Sequence, residues 1–107
     1  MNDLKWNQKE KSISRVAFDK AYRNECEDII KTVRQKLNNL SEPKKIWELE
    51  EYLYKKRKEI DNKYDYRYLV LITVFSRLIA EGWIKIKDLE ELGEEKIERI
   101  KLLTGMD

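Results

Sequence analysis

Histidine is absent from the 107 residues. Its absence removes the commonest general base and the commonest metal ligand together. The single cysteine, Cys26, has no second thiol for an intramolecular disulfide, which suits a reducing compartment. It also has no CxxC partner and no imidazole to activate it, so neither a zinc site nor a Cys–His nucleophile can be assembled. Three glycines, Gly82, Gly93 and Gly105, are too scattered to cradle a phosphate. With one proline and three glycines the chain is poor in turn residues, which excludes sandwiches and barrels. Neither charge sign dominates: 23 basic and 21 acidic side chains leave a net charge of +2, unlike a dedicated nucleic-acid binder. The longest apolar run, Tyr68 to Phe75, is broken by Thr73 and falls far short of the roughly 20 residues that span a bilayer. The first eleven residues are polar and resemble no secretory signal. A cytoplasmic protein without metal, cofactor or membrane span is expected, and adjacent carboxylates such as Glu50 and Glu51 diverge on a helix and offer no catalytic pair.

What the chain does have is helical periodicity. Charged residues make up 41% of it and are interleaved with apolar ones at helical spacing, which predicts one all-α domain over 1–107. A first helix is expected from about Gln8 to Asn39. In its second half Cys26, Ile30, Val33, Leu37 and Leu40 form a heptad-like seam that calls for a facing helix. About 30 helical residues span roughly 45 Å, more than the roughly 30–35 Å of a compact monomer this size, so part of the helix projects. A second copy of the chain is the simplest cover for the seam. The predicted homodimer interface comprises Val33, Leu37 and Leu40, with Ile46, Leu49 and Leu53 from the next helix.

That next helix follows the break at Asn38–Pro43, with Ser41 as the expected N-cap and Pro43 in the first turn. It runs to about Ile60 or Asn62, so residues 8–62 read as a long helical hairpin stalk. Asp65 or a neighbour is expected to cap a third helix ending near Glu81, apolar on nearly all sides and therefore central to a small helical head over 65–104. Gly82 reads as its left-handed stop. Asp88 with Glu91 resembles a capping box, Gly93 ends that short element, and a last helix turns Ile97, Ile100 and Leu103 toward the head.

On the second helix, Trp47 and Tyr54 lie nearly in line and well off the apolar stripe, flanked by Glu50, Glu51, Arg57 and Lys58. Such aromatics framed by both charge signs look like the anchors and polar rim of a protein-binding patch. Alternatively they widen the buried face, packing on the partner helix of the dimer. Lys55-Lys56-Arg57-Lys58 is diluted by Glu50, Glu51 and Glu59 and reads as a solvated face. A nucleic-acid reading would rest on these residues with Lys44 and Lys45. Cys26 reads as a buried thiol and Trp83 as core. Tyr64, Tyr66 and Tyr68 read as knitting stalk to head, since no basic groove is evident for base stacking.

Several separated segments carry a family resemblance. They are Ala17-Phe18-x-Lys20-Ala21-Tyr22, Ile46-Trp47-x-Leu49, the run from Lys56 through Asp65 to Arg67, and Glu81-Gly82-Trp83-Ile84-Lys85. In order and spacing, over about residues 6–103, they resemble the fluorescence recovery protein family. The resemblance implies a dimer of long helices with helical heads. It also implies a non-enzymatic regulator that docks on the photoactivated orange carotenoid protein, detaches it from the phycobilisome and speeds its return to the resting state. This would occur in the cytoplasm, at the cytoplasmic face of thylakoids through the partner. The family's second-helix patch uses a Trp, a His, an Asp and an Arg; here the positions are Trp47, Glu50, Glu51 and Arg57. On the head, Thr73 stands where familiar members have Phe, and Arg99 keeps a basic position. These departures support a second reading, a family-like dimeric interaction protein with another partner in an organism lacking phycobilisomes.

Overall fold

A computed structural model describes residues 4–105 of the chain. Helix α1 (Gln8–Leu37) begins at a reciprocal cap. The Asn7 side chain accepts from the Glu10 backbone N–H at 2.8 Å, and the Glu10 carboxylate accepts from the Asn7 N–H at 2.9 Å. Two of the four orphan donors of the first turn are thereby satisfied. The buried residues of α1, namely Ser14, Ala17, Phe18, Ala21 and Glu25, recur at helical spacing and all lie in its N-terminal part.

Helix α2 (Pro43–Lys63) returns alongside α1. Its N-cap is Glu42, not Ser41 as expected, and no side chain caps it. Pro43 decides this. Its ring holds the preceding residue extended, at φ −156° and ψ 159°, and it has no N–H to satisfy at the first helical position.

The next departure is larger. The third helix, α3 (Leu71–Ala80), begins six residues after Asp65, with Val70 as its N-cap. Residues 64–67 are irregular and 68–70 form a turn. Tyr64, Tyr66 and Tyr68 alternate, and alternation in a non-helical segment directs side chains to one side. Their rings join Phe18, Tyr22 and Trp6 in a connected series with centroid separations of 4.8–5.6 Å, mostly edge-to-face. Packing against α1 thus overrides helical propensity here, and the three tyrosines do join stalk to head.

Helix α3 stops as expected at Gly82, whose φ is +85°. The Gly82 N–H donates to Ile79 O and the Trp83 N–H to Leu78 O, both at 3.0 Å, completing a Schellman motif. A 3-10 segment (Ile86–Leu92) follows. Asp88 does not cap it from outside. It sits within the first turn, where its carboxylate accepts from the Lys85 N–H at 2.9 Å and from Lys20 Nζ of α1 at 2.8 Å. Helix α4 (Glu94–Thr104) closes the described chain. Ile100 is fully buried and Ile97 partly so, but Leu103 is exposed, contrary to expectation, and lines an open groove instead of the core.

Every regular element among the described residues is helical. The core unites Leu71, Val74, Phe75 and Leu78 of α3 with Leu89, Leu92 and Ile100, and with Ala17, Phe18 and Ala21 of α1. The N-terminal half of α1, assigned to the stalk by periodicity, therefore also forms one wall of the head. Beyond it the hairpin projects. The chain measures 53 × 26 × 25 Å with a radius of gyration of 16.9 Å, against about 13 Å for a compact globule of this length. No helix among the described residues is long and apolar enough to cross a membrane.

Candidate functional site

The hairpin buries little. Helix α2 contains no buried apolar residue; its one buried side chain is Lys63. Of the residues assigned to a dimer seam, Leu37, Leu40, Ile46 and Leu53 are exposed on the single chain, and Val33 and Leu49 are half-buried. They form an uncovered apolar surface along a projecting rod.

The adjoining face of α2 holds the candidate patch. Trp47 is 63% exposed and Tyr54 59%, so the single chain does not use them to widen its core. Glu50 is exposed. Glu51 pairs with Lys55 at 2.9 Å, Arg57 with Asp61 at 3.9 Å, and Lys58 lies 5.0 Å over the Tyr54 ring. Each of these is a local contact on the helix surface, worth a few tenths of a kcal/mol and replaceable at little cost. The aromatic pair therefore sits among charges that can turn to a partner. Lys44, Lys45 and Lys56 are likewise matched by Glu48 or Glu59, which leaves no concentrated basic surface on α2 for a phosphate backbone.

Thr73 and Arg99, on α3 and α4, come together in the head. They line one open groove of about 820 Å³ with Leu69, Ile72, Leu102 and Leu103. Sequence reasoning reached Thr73 and Arg99 but missed these leucines. A signal was present: neighbours on a helix point about 100° apart, so Leu102 and Leu103 could not both face the core.

Between patch and groove lies a buried charged knot. Lys63, at the end of α2, donates to Glu25 Oε2 of α1 and to Glu81 Oε1 beyond α3, both at 2.6 Å. Tyr64 Oη donates to the other Glu25 oxygen at 2.8 Å. Trp83 Nε1 and Arg77 Nε donate to Glu81 at 2.9 and 2.8 Å. Burial by itself raises the Glu81 carboxyl, but the donors Lys63, Arg77 and Trp83 outweigh it and hold the group down to about 2. Burial first, then the bond to Glu25, pushes the Tyr64 phenol well up. Trp83 is half-buried and packs against the core cluster, while Cys26, expected to be buried, is half-buried. Among the described residues no group of three or more His, Cys, Asp or Glu side chains could hold a metal.

Fold and surface together define a class: a helical hairpin carrying a compact helical head, with its large aromatic and apolar side chains left outside the core. Residues 6–104 match the family described as photoprotection regulator fluorescence recovery protein. The chain belongs to that family. It is 36% identical over 101 residues to the fluorescence recovery protein of Synechocystis sp. PCC 6803, covering 94% of this chain and 93% of that protein. Its structure is similar to that of the fluorescence recovery protein of Fremyella diplosiphon, with a TM-score of 0.90, 40% identity, and coverage of 95% of this chain and 100% of the other. The Synechocystis structure matches with the same TM-score and coverage at 34% identity.

Proposed function

We propose that this protein is a non-enzymatic regulator that binds the photoactivated orange carotenoid protein, detaches it from the phycobilisome and accelerates its return to the resting state. The reading places it in the cytoplasm, working as a homodimer. It is supported by family membership together with one observation on the chain itself: the Trp47 indole stands outside the core, on the same helix as an exposed Arg57. The physics of such a regulator is differential binding. A protein that held the activated and relaxing states equally well would change no rate. Acceleration requires tighter binding to the relaxation transition state than to the activated state. Docking through Trp47, Tyr54 and Arg57 on one part of the activated partner, with Thr73 and Arg99 on the head engaging a second part only as the two approach each other, meets that requirement, because the second contact forms along the relaxation path.

The test mixes the purified protein with photoactivated orange carotenoid protein and times the red-to-orange recovery in the dark. Wild type should accelerate recovery. Trp47→Ala and Arg57→Glu should each weaken docking by about 1–2 kcal/mol or more, read as a tenfold or greater rise in the protein needed for half-maximal rate. Recovery as fast with both variants would remove the patch from the mechanism.

A second reading, a different protein partner, is favoured by Glu50, Glu51 and Thr73. An anion at position 50 and the missing aromatic at position 73 alter both surfaces. Under that reading wild type itself leaves carotenoid-protein recovery unchanged.

A further inference from the structure

The head groove has features that the stalk patch lacks. Its walls are mainly helical: Ile72 and Thr73 of α3 face Glu95, Glu98, Arg99 and Leu102 along α4, joined by Leu4 and by Tyr68 and Leu69 of the turn before α3. On α4 these residues recur at helical spacing, so they form one stripe about 10 Å long. Leu69, Leu102 and Leu103 are 68%, 81% and 59% exposed. Three large apolar side chains gathered on one concavity mark an interaction site.

The character of the walls selects the occupant. Most of the lining comes from two helices whose backbone groups are satisfied internally, and no strand among the described residues offers an edge. An extended peptide laid there would leave its own backbone unpaired. Polyproline segments need an aromatic-lined groove, and only Tyr68 contributes a ring. A third helix, whose backbone is self-satisfied, fits between two helices.

Charge selects its sequence. Glu95 and Glu98 make no ion pair among the described residues. Lys96, between them, cannot neutralise them because it is buried, donating to Glu10 Oε2 at 3.0 Å and to Lys5 O at 2.8 Å. Glu95 suits the positive end of α4, but Glu98 lies beyond the first turn. Among the described lining residues Arg99 alone offsets the pair, which leaves their charge net acidic.

We infer that the head groove receives an amphipathic helix of the partner, its leucine-type face on Leu69, Leu102 and Leu103 and its Lys or Arg flank opposite Glu95 and Glu98. This rests on the reading of the head as a docking surface and assigns it a ligand class.

Two labelled, amidated peptides of about 16 residues, with leucines at i, i+3, i+4, i+7 and i+11, test it. One carries lysines beside the leucine stripe and the other glutamates. Anisotropy titration of the full chain should give at least about tenfold tighter binding of the lysine peptide, equal to ~1.4 kcal/mol. Amide shifts should fall on Leu69, Thr73 and Leu102. The double variant Glu95→Lys/Glu98→Lys should reverse the preference. Leu102→Ser/Leu103→Ser should weaken binding about tenfold or more while its circular dichroism and melting stay unchanged, since both side chains are exposed. Equal affinity for the two peptides, a preference unmoved by charge reversal, or shifts confined to the stalk would overturn the inference. No carotenoid protein enters this assay, so its failure and failure of the recovery assay are separate results.

Discussion

The head and the hairpin use their apolar residues in opposite ways. In the head, Phe75, Leu71, Leu78, Leu89, Leu92 and Ile100 are fully buried. In the hairpin, Ile30, Leu37, Leu40, Ile46 and Leu53 have the same chemistry and remain 38–51% exposed. The head therefore spends its hydrophobic surface on its own fold, while the rod keeps its surface available for association. Stability should map to the first region and concentration dependence to the second.

The sharpest way to break that contrast is truncation in each region. Phe75→Ala should cost about 3–5 kcal/mol in urea unfolding, because it removes a fully buried ring and leaves a cavity. Leu53→Ala should cost little at low protein concentration and more as concentration rises, if a second chain covers it. Equal, concentration-independent losses would put both residues in one intramolecular core.

The junction comes next. Lys63→Met strands Glu25, a carboxylate 4% exposed, and should cost about 3 kcal/mol by the same measurement. Adding Glu25→Met should restore most of the loss, because an apolar pair of similar volume replaces the ion pair. A double variant as weak as the single one would mean that the knot contributes more than charge balance. Gly82→Ala is smaller. A Cβ there meets nothing within 4 Å, so the expected loss of about 1 kcal/mol is conformational, from the positive φ alone.

The smallest effect is acid sensitivity of the same knot. The Glu81 carboxyl is held at about 2 in the fold against 4.5 for the unperturbed group. A folded value below the unfolded one contributes stability that is full above about 4.5 and lost as pH falls toward about 2. With that side chain 34% exposed, screening limits the contribution to roughly 1 kcal/mol. Thermal melts of wild type and Glu81→Gln between those pH values should converge as the medium is acidified.

The helices were legible because their periodicity is local, and Gly82 because a left-handed stop needs glycine. Pro43 should have moved the N-cap from Ser41 to Glu42, since a residue before proline is held extended. The Tyr64–Tyr68 alternation was itself a period-two signal, masked by the apolar run that follows. The Lys63 knot had no local signature, because its partners lie 38 and 18 positions away. At the candidate surface, the offset of Trp47 and Tyr54 from the apolar stripe was visible from helical angles. Their exposure was not, because it depends on what α1 covers.

The three tryptophans occupy three different environments. Trp6 has its indole nitrogen buried and a lysine ammonium 4.9 Å from its ring, and Trp83 is tethered to a carboxylate. Only Trp47 stands mainly in water. The longest-wavelength part of the intrinsic emission therefore belongs to the candidate docking face. An added quencher such as iodide reaches that component first, and a bound partner shields it. The chain thus carries its own optical gauge of whether that face is free or covered.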